Sequence, residues 1–238
     1  MSPQEPRPKQ IYAIGGGGFS LEPGNLALDK ELLALSGKPR PKVCFVSTAS
    51  FDSGDYIDRF YRTFKTLDCE PSHLTVKIPN VASVRDHVMA QDILYVGGGD
   101  ALNLLDQWHK TRFDLVIKEA YEAGIVLAGV SAGAFCWFEA GMTDSAPGQF
   151  APVKGLGLLS GSLCVHYDGE PERKVAYQRF MLRGLVAPGL ALEDGVALHY
   201  VDGKLRRAVS SRPEAQAFRI EVRRNTLFAL PLEPSYLG

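Results

Sequence analysis

Gly129-Val130-Ser131-Ala132-Gly133 is a G-x-S-x-G run, placed after apolar residues 125–128 and before Ala134-Phe135-Cys136-Trp137-Phe138, which suits a helix. A serine in that strand–turn–helix setting is a candidate nucleophile. The sharp turn exposes its hydroxyl, and the flanking glycines avoid collision with neighbouring backbone. The N–H of Ala132, at the head of a helix, is aimed where an oxyanion would form. The implied chemistry is acyl transfer. Gly97-Gly98-Gly99, which follows another apolar run, can supply a second oxyanion donor from Gly98 or Gly99.

A serine hydroxyl needs a base within hydrogen-bond reach, and the base needs an orienting partner. Of the five histidines, His73, His87 and His109 fall in segments read as loop or helix and are expected to face solvent. His166 ends the apolar run Ser162-Leu163-Cys164-Val165 and so reaches a strand terminus. His199 lies inside a strand-like run between Leu198 and Tyr200, where a packed histidine is the ordinary outcome. His166 is therefore the favoured base. Candidate acids are Asp168, Glu170, Glu193 and Asp194. Asp194 closes a short apolar run before Gly195, whereas Asp168 is too near His166 in sequence to bond the far side of its ring. Spacing alone does not separate Glu193 from Asp194.

The elements that must position these groups are legible as alternation. Strands are expected at residues 10–14, 42–48, 74–78, 92–96 and 125–130, and helices at 25–35, 55–67, 101–110 and 113–123. Tyr56, Phe60, Phe64 and Leu67 mark one helical face. Apolar strands without alternation, interleaved with amphipathic helices, indicate a mostly parallel, doubly wound α/β sheet with helices on both faces. After a helix near 173–185, runs at 196–201, 205–209 and 217–222 read as antiparallel C-terminal hairpins, with Asp202-Gly203 as a hairpin turn. No linker or repeat interrupts the chain, so one domain over residues 1–238 is expected.

Glycine is over-represented, 24 of 238 residues against about 7% in ordinary proteins. It gathers in three turns, each after an expected strand. Ligand sites in open α/β sheets lie beyond the carboxyl ends of strands. Gly15 and Gly17 match the start of the dinucleotide pattern G-x-G-x-x-G, but its sixth position is Ser20, which disfavours a nucleotide site. The 26 basic and 27 acidic residues leave a net charge of −1, without the basic footprint of a nucleic-acid or membrane-surface binder. The N-terminal segment lacks the apolar stretch of a signal peptide. The longest apolar-leaning run falls short of the roughly 18 residues a transmembrane helix needs. Cys44, Cys69, Cys136 and Cys164 form no metal or disulfide pattern. A cytoplasmic protein without metal or organic cofactor is expected.

Taken together, Val96-Gly97-Gly98-Gly99-Asp100, Gly129-Val130-Ser131-Ala132-Gly133-Ala134, His166-Tyr167 and Leu192-Glu193-Asp194-Gly195 resemble the peptidase E (aspartyl dipeptidase) family of serine peptidases, which includes the cyanophycinases. The resemblance covers nearly the whole chain. It implies a fold similar to class I glutamine amidotransferases, with Ser131 as nucleophile, His166 as base, an acidic third member aligned at Asp194, and an oxyanion hole from Gly98-Gly99 and Ala132. Members of that family remove N-terminal aspartate from dipeptides, and an arginine beyond the histidine binds the substrate carboxylate. Arg173 is nearer the expected place than Arg179. Asp168 or Glu170 would face the substrate ammonium. Two positions depart from the family pattern: Asp100 stands where asparagine is usual, which leaves Asp100 a candidate substrate contact, and Asp194 stands where a glutamate is usual.

The expected function is a serine exopeptidase acting on short peptides with N-terminal aspartate. β-Linked cyanophycin fragments or a broader range are alternatives. An α/β-hydrolase esterase using Ser131, Asp168 or Asp194, and His199 is a rival reading, as is a small-molecule sensor without catalysis. The expected partner is a small peptide. The oligomeric state is open, with a homodimer as one reading.

Overall fold

The computed structural model describes residues 7–76, 81–146 and 149–238. The first half runs β1 (Gln10–Ile14), α1 (Gly18–Leu21), α2 (Ala27–Ala34), β2 (Lys42–Val46), α3 (Gly54–Phe64), β3 (Glu70–Leu74), α4 (Val81–Met89), β4 (Ile93–Val96), α5 (Ala101–Thr111), α6 (Phe113–Glu122), β5 (Val126–Val130) and α7 (Ala132–Phe135). The second half runs β6 (Phe138–Ala146), β7 (Gln149–Lys154), β8 (Leu159–Cys164), α8 (Pro171–Leu182), β9 (Gly189–Leu192), β10 (Val196–Val201), β11 (Lys204–Ser210), β12 (Ala217–Arg223), β13 (Thr226–Leu232) and β14 (Ser235–Tyr236).

The larger sheet has strand order β14-β11-β10-β1-β5-β4-β2-β3. Strands β1, β5, β4, β2 and β3 are mutually parallel. Both faces are apolar because both are covered. Tyr12, Ile14, Phe45, Tyr95 and Ala128 pack toward α1, α2 and α3. Ile11, Ala13, Val46, Leu94 and Leu127 pack on the opposite face with α4, α5 and α6. Helix α3 shows why the fold follows from the residues. Tyr56, Phe60 and Phe64 are buried on one side, one turn apart. Phe19 of α1 inserts its ring among theirs, with centroids 5.7, 5.7 and 5.4 Å away. That contact fixes the Gly15–Gly18 turn from behind, and emptying it would cost about 3–5 kcal/mol.

The C-terminal half differs from the simple extension expected. Strands β10 and β11 add antiparallel to β1. They turn at Asp202-Gly203, where φ values of 49° and 75° suit a two-residue hairpin. The β12–β13 hairpin instead joins a second sheet of order β13-β12-β9-β8-β6-β7. The cause is β9, which pairs parallel with β8 on one edge and antiparallel with β12 on the other. Leu163, Leu190 and Leu192 of this sheet join the core beneath the first. Cys164, Ala191 and Ile220 face α8.

Three local expectations shift. The helix read through Phe138 stops at Phe135. Leu156 N–H bonds Cys136 carbonyl at 2.7 Å and Leu159 N–H bonds Trp137 carbonyl at 2.9 Å, drawing the chain into β6. The strand read at 74–78 is β3, four residues earlier, and residues 77 and 78 lie outside those described. It is an edge strand containing Pro71, a position where the missing N–H is tolerated. Helix α4 was not anticipated. All four cysteines are buried and free.

Candidate active site

Strands β1, β5 and β4 are immediate neighbours in the sheet, so the three glycine turns that follow them meet at one edge. Ser131 sits at the tip of the central turn with φ 57° and ψ −118°. A non-glycine residue there stores about 1–3 kcal/mol of strain and must be held by its surroundings. It is held by Ser131 N–H on Ile14 carbonyl at 3.0 Å and by Ala134 N–H on Ser131 carbonyl at 2.9 Å. The glycines of the pentapeptide answer to close approach. A Cβ on Gly129 would lie 1.9 Å from Gly133 carbonyl oxygen, and one on Gly133 would lie 2.3 Å from Val96 carbonyl oxygen.

His166 follows β8 and also has positive φ, 52°. Tyr167 N–H on Leu192 carbonyl, 2.8 Å, ties this turn to the end of β9. His166 Nε2 is 2.8 Å from Ser131 Oγ, and Nδ1 is 2.5 Å from Asp194 Oδ1. Serine, histidine and carboxylate thus form one hydrogen-bonded chain. Burial pushes the Asp194 carboxyl up, but the hydrogen bond and charge of His166, with Arg212 and Arg173, outweigh it and hold the group below the usual carboxylate range. An ionised Asp194 makes Nδ1 the donor, which leaves Nε2 to accept the serine proton.

The other acids do different work. Asp168, exposed, accepts Asp194 N–H at 2.8 Å. Glu193 Oε2 accepts Gln216 N–H at 2.8 Å, so its carboxylate is engaged away from His166. Glu170 is an exposed residue at the head of α8. Asp100 caps α5, accepting Asn103 N–H at 2.9 Å and Ser145 hydroxyl at 2.9 Å. Arg173 is buried, ion-paired to Asp144, with its guanidinium 5.1 Å from the centre of the Phe150 ring. Arg179 is exposed.

Of the three oxyanion candidates, Ala132 and Gly98 adjoin Ser131. Ala132 N–H, the first of α7, has no hydrogen-bond partner among the described residues. Gly98 lies against Ser131, where a Cβ would be 3.1 Å from the serine Cβ. Its N–H donates to Tyr56 hydroxyl at a long 3.3 Å. Gly99 packs on Ala49 with φ 138°.

The remaining histidines stand apart. His199 is buried in β10, with Nε2 2.9 Å from Gln10 Oε1. Burial, with Arg207 and Arg206, lowers its pKa to about 4. His73 lies exposed on β3 rather than in a loop, His109 is exposed on α5, and His87 is half-buried on α4 beside Ser72.

Sequence reasoning missed Gly16, Tyr56 and Arg212. Gly16 Cα backs directly onto the hydrogen-bonded chain, where a Cβ would fall 2.0 Å from Asp194 Oδ1 and 2.7 Å from His166 Cε1. Arg212 is steered by Glu22 at 2.6 Å. In the sequence Gly16 shows only as part of a glycine turn and Tyr56 only as part of a helical face, and nothing local marks Arg212. Among the described residues no group of three or more His, Cys, Asp or Glu could hold a metal ion. No described helix is long and apolar enough to cross a membrane.

The sequence pattern of peptidase family S51 matches residues 11–208. The chain belongs to peptidase family S51. An uncharacterized peptidase of Bacillus subtilis (strain 168), YgaJ, is 47% identical over 230 residues, covering 97% of this chain and all of that one. A peptidase from an acI-B1 actinobacterium has a similar fold, with TM-score 0.71, 18% identity, and 95% and 96% of the two chains covered. A candidate peptidase E protein from Listeria monocytogenes EGD-e aligns at TM-score 0.62 and 16% identity, over 85% and 98%. S51 membership makes the chain a serine-type peptidase.

Proposed function

We propose that this S51 peptidase removes N-terminal aspartate from short peptides, with Ser131, His166 and Asp194 as its catalytic residues. The observation that carries the reading is the Ser131–His166 contact of 2.8 Å on a strained turn whose next N–H, on Ala132, is open. Ser131 Oγ attacks the scissile carbonyl and gives its proton to His166 Nε2. The carbonyl electrons move to the oxygen, which Ala132 N–H and the Gly98-Gly99 turn stabilise. Collapse breaks the C–N bond, and His166 passes the proton to the leaving amine. Water, deprotonated by His166, then attacks the acyl-enzyme; the serine is released reprotonated. Asp194 stabilises the imidazolium formed in both halves, as a carboxylate in that position does.

Aspartate preference rests on Arg173, a buried guanidinium seven residues after His166 whose charge acts on Asp194. Planar guanidinium suits bidentate carboxylate recognition. Hydrolysis of Asp-Leu, Glu-Leu, Asn-Leu and Met-Leu by wild type and Ser131→Ala tests both parts. Asp-Leu is expected to be cleaved well above Asn-Leu, and the variant to lose at least about 10³-fold in kcat. Equal cleavage of Asp-Leu and Asn-Leu removes the specificity. A variant within tenfold of wild type removes the mechanism.

A further inference from the structure

Among the described residues, Arg173 is unusual for a cation in being both buried and incompletely used. Its side chain is 8% exposed, yet the carboxylate it pairs with, Asp144, is 53% exposed. The hydrogen bond to that carboxylate comes from Nη2. Arg173 Nε is fully enclosed and has no hydrogen-bond partner. Nε and Nη2 form one edge of the guanidinium, the edge that takes a carboxylate through two parallel bonds. Asp144 fills half of it. A buried donor left unpaired costs about 1–3 kcal/mol, so the present arrangement is one that a better-placed carboxylate would improve.

The position of Asp144 relates this edge to the candidate active site. Ser145, the next residue, donates to Asp100 Oδ1 at 2.9 Å, and Asp100 directly follows Gly99 of the oxyanion turn. Arg173 is on the first turns of α8, the helix that begins just after His166. Asp144 is on β6, two residues before that strand ends at Ala146. The pair therefore bridges the two segments that flank Ser131 from the Gly99 side and the His166 side.

We infer that Asp144 is an internal competitor for the acidic side chain of the substrate: it holds Arg173 through one bond and is displaced when a substrate carboxylate closes both bonds of the Nε–Nη2 edge. This rests on the reading of Arg173 as the acid-binding residue. Asp144, more than half in water, is released at little desolvation cost, while Arg173 stays neutralised in either state. Asp144 thereby sets how strongly an acidic substrate must bind and keeps a buried cation paired between turnovers. It is a specificity-determining residue that does not take part in the chemistry.

The test is steady-state kinetics of wild type, Asp144→Asn and Asp144→Ala with Asp-Leu and Asn-Leu, with inhibition by free L-aspartate. Removing the competing charge is expected to raise the ratio of kcat/KM for Asp-Leu over Asn-Leu by about fivefold, the scale of a half-exposed ion pair. The gain is expected in KM for Asp-Leu, with a matching fall in the aspartate inhibition constant. A ratio that stays level or falls in both variants overturns the proposal, since Asp144 would then be organising Arg173 or binding the ammonium. Asp144→Ala guards against an asparagine that keeps the old contact. Arg173→Met separates the two ideas. If it retains the Asp-Leu preference, the reading beneath this one fails; if it loses the preference while the Asp144 variants leave the ratio level, only the competitor role fails.

Discussion

Gly16→Ala perturbs the proposed catalytic chain from outside it. Gly16 is absent from the positive-φ glycines, whereas its neighbours Gly17 and Gly18 have φ of 110° and 56°, so alanine meets no backbone strain there. The obstacle is contact alone. The added methyl would lie 2.0 Å from Asp194 Oδ1 and 2.7 Å from His166 Cε1. Cβ atoms essentially never come within 3.0 Å of another heavy atom, so the carboxylate must retreat by about 1 Å and the ring must follow or lose its partner. A misplacement of about 1 Å costs on the order of 100-fold in rate, or about 2.7 kcal/mol of transition-state stabilisation. The assay is kcat/KM with the preferred dipeptide, beside thermal unfolding. Gly24→Ala, with nothing within 4 Å of its added methyl, is the control. In an Asp194→Ala background the Gly16→Ala loss should shrink, because the displaced partner is already gone. Gly16→Ala activity within threefold of wild type, in folded protein, refutes the packing argument.

Asp29, fully buried, accepts Phe19 N–H at 2.8 Å, and burial raises its pKa from 3.8 to about 7. The folded state therefore holds a proton that the unfolded state releases above about pH 4, and stability from this group declines as pH rises to about 7. Asp29→Asn, whose amide oxygen can still accept the Phe19 N–H, should add little near pH 4 and up to about 4 kcal/mol near pH 8 in urea unfolding; an equal effect at both pH values contradicts this. His166→Ala should abolish hydrolysis while His199→Gln retains it, and the opposite result restores the esterase-like order of residues. Asp168→Ala removes the acceptor of Asp194 N–H and should lower kcat about tenfold, as loss of an orienting partner does, with Asp168→Asn recovering most of it.

Much of this site was legible because its parts are local. G-x-S-x-G between an apolar run and a helix start can be read from five residues, and His166 stood out by ending an apolar run. The parallel strands were equally plain, since burial on both faces removes alternation from residues such as Val43-Cys44-Phe45-Val46. What escaped depends on pairing between distant segments. The β12–β13 hairpin looks like any hairpin, and only its contact with Leu192 and Gly189 of β9 assigns it to a second sheet. Glu70-Pro71-Ser72-His73-Leu74 has no strand pattern and is held by parallel pairing with β2. Spacing could not separate Glu193 from Asp194, because what differs between them, the bond to Gln216 N–H against the contact with His166 Nδ1, is delivered only by the fold. Gly16 was visible as one of four glycines, without any hint of what lay against it.

If Ser131 is the nucleophile activated by His166, its hydroxyl is selectively reactive. The most direct test is reaction with a fluorophosphonate, followed by intact mass and peptide mapping. One adduct per chain is expected, on Ser131, absent from Ser131→Ala and strongly slowed in His166→Ala. An unmodified Ser131 in folded protein, or an adduct that survives Ser131→Ala, would contradict it.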